Sequence, residues 1–352
     1  MVGIILYGAF KLAPYTKKYT DILDSLGIKY DLIGWRREEE PSYADNVYMY
    51  NGRTAKRFSS VLGKIIPSIG YRRFVKRLVK KKKYDMLIIF TTQTAVVLAD
   101  LLLFKYRKKY IFDYRDKSYE YIKPYSALIN GIIKASAETV VSSQWFPQYL
   151  TDKKNYVLTH NFRPEALVHR KSVCKKSGGT VTVGYVGILR SYEYHTGLID
   201  CFAGDSRFEF HIYGCGDDVA RLFEYAKKFS NIFIHGAYTE EDKYGIIDTF
   251  DIMCYNYPYS YVNDGAVANK YYDALIMKKP MFVNAETALG RFICESGIGV
   301  GVPDHGCGTA DTVYNWYKSL DADAFAKTCD RLLDEYIAQD ENFYQVIKRA
   351  LI

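Results

Sequence analysis

Short apolar runs alternate with stretches of helical periodicity from one end of the 352-residue chain to the other, an order that a parallel sheet flanked by helices satisfies. In the first half the spacing predicts strands over 3–7, 30–34, 85–90, 109–113, 139–142 and 156–159. The alternation lapses in a polar stretch, 162–179, with Pro164, Gly178 and Gly179, and restarts with strands over 180–187, 209–213, 231–235, 251–255, 280–284 and 299–302. Thr239, followed by Glu240, Glu241 and Asp242, signals the start of a helix through residue 250. The tail from 322 reads as helix, with Leu332, Leu333, Tyr336 and Ile337 on one face. Single cores seldom grow past about 250–300 residues, so this length calls for two domains. The expectation is α/β: two tandem Rossmann-like, doubly wound domains facing a cleft, over 1–163 and 180–335. A linker over 164–179 joins them, and a helix over 336–352 is placed to pack back on the first. Ligands of such sheets sit beyond the carboxyl ends of the strands.

Hydrophobic residues at 49% and charged residues at 25% exclude both a disordered chain and a disulfide scaffold. All seven Cys lie at or beyond Cys174 and form no CxxC pair; the six His include no HxxxH pair. A reducing compartment and no metal site are therefore expected. The 34 Tyr are open to two readings, contacts to sugars or a membrane surface, or coding bias. Residues 1–10 are apolar but lack a cationic lead and a cleavage site, which reads as a first strand in a cytoplasmic protein. The apolar stretch 86–104 holds Thr91, Thr92, Gln93, Thr94 and Asp100, which suits a strand, a loop and a helix better than a membrane span.

Charge is concentrated. Twelve Lys and Arg fall between Arg53 and Lys83 with no acid among them, so the formal charge of +8 becomes −4 when that segment is set aside. Tyr71, Phe74, Val75, Leu78 and Val79 recur at helical spacing, with Arg72, Arg73, Lys76, Arg77 and Lys80 on the opposite face. Such a helix is either a surface element with a solvated basic face or an attachment to an anionic leaflet, peripheral on the cytoplasmic side. In the second case each basic residue is worth on the order of 1 kcal/mol. No recognised nucleic-acid-binding motif accompanies it, and nucleic acid is not an expected partner.

The segment 263–284 runs from a loop through a helix into a strand, and reads Ala268, Asn269, Lys270, Tyr271, Tyr272, Asp273, then Lys278, Lys279 and Pro280. Here the chain resembles the retaining glycosyltransferases of the GT-B architecture, family 4 of the group 1 transferases. An acid one turn into such a helix can accept both hydroxyls of a ribose, while N–H groups before it face a diphosphate. Asp273 fits the first role, with Asn269 beside it, and Gly265, Ala266 and Val267 the second. The stretch 183–199 resembles the family's opening strand and phosphate loop, containing Gly187 and Arg190. The resemblance makes the Arg190 guanidinium a stabiliser of the leaving diphosphate. His195 stands about where the family has Lys, and Lys270 is the alternative second cation. The turn after 210–213, with Gly214 and Gly216, and the loop after 231–235, with Tyr238, resemble the family's remaining donor contacts. On the acceptor side the resemblance points to Gly8, Ala9 and Asp116; Asp113 and Arg115 read as a mutual pair, and His160 as ordering a turn rather than moving protons. Lys278 departs from the family, which has Gly there.

The resemblance implies a transferase moving a sugar, with retention, from a nucleoside diphosphate sugar to a hydroxyl acceptor, a lipid-linked or polysaccharide precursor, without a cofactor or metal. Two other readings stay open: a sugar-nucleotide epimerase of the same fold, and a non-catalytic membrane or nucleic-acid binding protein.

Overall fold

The structure, a computed structural model, describes residues 1–36, 45–52, 61–150, 155–174, 178–189, 191–303 and 308–352, with the backbone alone for 61–66. Two units result: Met1–His160 with Ala338–Ile352, and Asn161–Ile337.

The first unit contains β1 (Val2–Leu6), α1 (Thr16–Ser25), β2 (Tyr30–Trp35), β3 (Val47–Tyr50), α2 (Val61–Lys82), β4 (Met86–Phe90), α3 (Thr92–Val97), β5 (Tyr110–Tyr114), α4 (Lys123–Ala135), β6 (Glu138–Val141) and β7 (Val157–Leu158). Its strands form one sheet in the order β3-β2-β1-β4-β5-β6-β7, parallel throughout. Every residue of β1 and β5 is buried, the unbroken apolar pattern of strands covered on both faces. One face carries α2, α3, a π-helical turn at Leu101–Lys105 and α4, through Tyr71, Val75, Val79, Leu98, Leu102 and Ile132. The other is covered by α1, through Tyr19 and Ile22, and by Phe343 and Ile347 from the end of the chain.

The second unit contains β8 (Val181–Val186), α5 (Tyr192–Asp200), β9 (Phe208–Tyr213), α6 (Val219–Ala226), β10 (Ile232–Gly236), α7 (Lys243–Asp248), β11 (Ile252–Tyr255), α8 (Asn269–Ile276), β12 (Met281–Asn284), α9 (Ala288–Glu295), β13 (Gly299–Val302) and α10 (Thr309–Ser319). Its parallel sheet has the order β10-β9-β8-β11-β12-β13. A last helix, α11 (Ala322–Leu351), runs from the second unit into the first. Both sheets thus reverse their strand order beside their first strand, at β1/β4 and at β8/β11, where doubly wound sheets open a crevice.

All twelve strands expected from the pattern are present within two residues of their expected ends; β3, a half-buried edge strand, is additional. The helix expected from Thr239 begins later, at Lys243. Thr239 Oγ1 accepts the Asp242 N–H at 3.1 Å, so the cap closes a turn that precedes the helix. The stretch 164–179 includes a 3-10 helix, Pro164–His169, and its described residues belong to the second unit. No helix among the described residues is long and apolar enough to cross a membrane.

Candidate active site

The first turn of α8 places Lys270 toward the carboxyl ends of β8 and β11. It is 5% exposed, and its Nζ lies 3.9 Å from the ring centre of Tyr185, 4.4 Å from that of Tyr257 and 5.7 Å from that of Tyr255. No described carboxylate pairs with this ammonium; beyond the ring faces, the Tyr257 hydroxyl is the group that pulls on it as a hydrogen-bond acceptor. Burial works against the charge, yet Tyr185 and Tyr257 outweigh it and hold the proton more tightly than in free lysine. Aromatic ring faces are the setting in which a desolvated cation is tolerated. A buried cation with no carboxylate beside it among the described residues is a place for an anion to arrive.

One turn further on, Asp273 is buried at 5% exposure. Its Oδ1 accepts the Tyr244 hydroxyl at 2.9 Å and faces Lys243 Nζ at 3.2 Å, both from α7. Oδ2 has no partner among the described residues and can accept hydroxyl protons. Burial pushes this carboxyl up, and Lys243 and Tyr244 draw it back. Tyr238, in the loop after β10, feels both Asp273 and Lys270; burial first, then Glu240 and Asp273, push its phenol up to about 12. With Tyr213, His235 and Gly245 it lines a groove of about 520 Å³. Asn269 opens α8, exposed, behind Ala268, which supplies no side-chain cap; the Ala268 N–H itself goes to Tyr255 Oη at 2.8 Å.

The preceding loop differs in part from expectation. Gly265 has φ +79° and makes a turn. The Ala266 N–H is engaged by the Asn263 carbonyl at 3.0 Å, so it is used within the loop, and the Val267 carbonyl takes Asn161 Nδ2. Gly187, with φ +149°, and Leu189 extend the β8/β9 ladder, donating to the carbonyls of Tyr213 and Cys215. A Cβ on Gly214 would lie 1.9 Å from the Gly187 carbonyl oxygen, and one on Gly216 1.9 Å from that of Leu189. These glycines let one loop run against another. Arg190 lies outside the described residues. His195 is buried at 3% exposure, with Nδ1 2.6 Å from the Ser191 carbonyl, which makes Nδ1 the protonated nitrogen. Its ring stands edge-on to Tyr185, the residue whose face holds Lys270.

In the first unit Gly8 and Ala9 follow β1 at the strand-order reversal. The Gly8 carbonyl accepts the Trp35 N–H at 2.9 Å, and Ala9 is buried. Opposite, Thr91 at the end of β4 adopts φ +69°, ψ 153°, a conformation strained for a β-branched residue. Asp113 and Arg115 form a fully buried ion pair at 2.7 Å, and Tyr19 Oη adds a bond to the same carboxylate, while Asp116 beyond them is exposed. His160 is buried, with Nε2 2.6 Å from Gln339 Oε1. The α2 stripe packs as expected, but its opposite face is not uniformly solvated: Arg72 and Lys76 both turn to Asp100. Arg73, Arg77 and Lys80 are exposed.

Tyr185, Tyr257, Lys243 and Tyr244 were not anticipated. A signal for two of them was available, since Tyr185 is the penultimate residue of β8 and Tyr257 lies two residues beyond β11, the strands that flank the order reversal, where ring faces can meet a cation from the following helix.

No protein-family model matches the sequence, and no curated protein matches it. Solved structures do, along their whole length. Sucrose-phosphate synthase from Thermosynechococcus elongatus superposes with a TM-score of 0.71 at 11% identity, covering 99% of this chain and 98% of that one. The lipopolysaccharide outer core galactosyltransferase WaaB gives 0.66 at 11% identity, over 99% of each chain. HepE of Anabaena in complex with UDP gives 0.67 at 12%, over 99% and 100%. The chain has the GT-B fold that these structures share.

Proposed function

We propose that the protein is a glycosyltransferase that takes its sugar from a nucleoside diphosphate donor held by the second unit. The observation that carries this reading is the Lys270 ammonium, buried among three tyrosine rings at the β8/β11 reversal with no anion among the described residues to neutralise it. A diphosphate supplies that charge. As the bond to the anomeric carbon breaks, negative charge grows on the β-phosphate oxygen, and a cation already stripped of water stabilises it without reorganising. Asp273, at i+3 on the same helix, offers Oδ2 to the ribose diol while Lys243 and Tyr244 fix its Oδ1. Arg190 is the second cation in this reading. Tyr238 and the groove beside it take the base, and His195 orients Tyr185 rather than touching phosphate. Gly8, Ala9 and Asp116 serve the acceptor, a hydroxyl on a lipid-linked or polysaccharide precursor, with Asp116 as the base. Retention at the anomeric carbon follows the resemblance. The similar structure solved with UDP and the one named as a lipopolysaccharide galactosyltransferase support this donor and acceptor class.

Titration calorimetry with UDP-, GDP- and ADP-sugars tests the reading. One of them binds, and Lys270→Met weakens it about 10- to 100-fold, the worth of one charge-assisted contact. Absence of binding by every donor overturns the proposal, as does a Lys270→Met variant that binds as tightly as the parent.

A further inference from the structure

The structure assigns a second role to the first unit, independent of the chemistry above: we propose that its α2 face, joined to the π-helical turn Leu101–Lys105, docks on an anionic lipid surface. The basic run of the sequence is otherwise unused. Tyr71, Val75 and Val79 of α2 are fully buried against the sheet. That packing turns the opposite stripe outward, beginning at Ile69, 43% exposed, and continuing through Arg73, Arg77, Lys80 and Lys81.

Asp100 extends this stripe to a second element. Its carboxylate pairs with Arg72 at 2.8 Å and with Lys76, and Arg72 also reaches the Val97 carbonyl at 3.3 Å. Asp100 immediately precedes Leu101–Lys105, whose Leu101 and Leu102 enter the same core as α2. The outward residues of that turn and its exit are Phe104, Lys105 and Arg107. Phe104 is 80% exposed, among the most exposed large apolar side chains described. Arg73, Arg77, Lys80, Lys81 and Arg107 have no acidic partner among the described residues, because Asp100 is already consumed by Arg72 and Lys76.

Unpaired cations along α2 and a bare phenyl ring on the turn that follows Asp100, on elements that share one core, suit an interface of acidic headgroups above acyl chains. The cations answer the headgroup charge, and Phe104 reaches the acyl boundary. A polyanion without an apolar layer, such as RNA, would use the cations and leave Phe104 in water, so the ring decides between them.

Co-sedimentation with phosphatidylcholine vesicles, with and without phosphatidylglycerol, tests this. The protein binds the mixed vesicles and salt weakens the binding, as counterions screen exposed charges. Replacing Arg77, Lys80 and Lys81 together by Gln lowers affinity on the order of a hundredfold, three charges at about fourfold to fivefold each. Phe104→Ser, at unchanged charge, lowers it about tenfold. All these positions are exposed, and thermal melting confirms that the variants fold. No binding to mixed vesicles overturns the proposal, and so does equal binding to pure phosphatidylcholine. If Phe104→Ser binds like the parent while RNA competes for the surface, the face reads polyanions and the lipid assignment falls.

Discussion

Single atoms decide much in the second unit. Gly214 is the clearest case, because its missing Cβ is the space that the Gly187 carbonyl occupies. Both neighbours are backbone, so neither can turn aside. Gly214→Ala is therefore expected to lose several kcal/mol in urea denaturation, among the largest effects available to one added methyl. Gly8→Ala, whose Cβ meets only Leu6 at 3.7 Å, should melt close to the parent. The sequence revealed a glycine-rich turn, but spacing alone does not show that its bare backbone lies against the loop after β8. That Lys270 and Asp273 share the first turns of one helix was legible, because the loop before Asn269 and the helical spacing after it stand out in the sequence. The tyrosines around Lys270 were not, because ring faces converge only after β8 and β11 are laid side by side.

Helix ends show how an element absorbs an unfavourable residue. Lys278 ends α8 with φ +53°, the left-handed conformation that glycine adopts freely. The side chain is fully buried and its Nζ meets Asp330 of α11 at 2.7 Å. Strain and ion pair offset each other. Lys278→Ala keeps the strain and loses the pair, whereas Lys278→Gly loses both, so the glycine variant should be the more stable of the two by about 1 kcal/mol in denaturant titration. Strand positions were read well where apolar runs are continuous, as in β1 and β5. They were missed in β3, where Val47–Tyr50 is half-buried and short. The start of α7 slipped because Thr239 can cap a turn as readily as a helix.

At the scale of the molecule, the chain passes between its units twice, after His160 and after Ile337. Within the first unit Asp340 gathers the Thr159 hydroxyl at 2.8 Å, the His160 N–H at 3.0 Å and the Lys18 ammonium. His160 sits in this cluster as a neutral ring: burial pulls it from its ordinary 6.5 down to about 4, against the opposing pull of Asp340 and Gln339. Between those two pH values the unfolded chain binds a proton that the folded protein refuses. Stability consequently falls as pH drops through that window, by about 3 kcal/mol in all for this residue. His160→Gln should flatten that part of the profile, visible as a smaller change in urea midpoint between neutral pH and about pH 4 than the parent shows. An equal change in both proteins would place the loss on other groups.

The helix α11 carries this organisation to its end. Phe343 and Ile347 complete the core that β1 and α1 begin, with the whole of the second unit interposed in the chain. During synthesis, then, the sheet that is translated first must wait for its closing residues, and the unit that starts later is contiguous and can finish earlier.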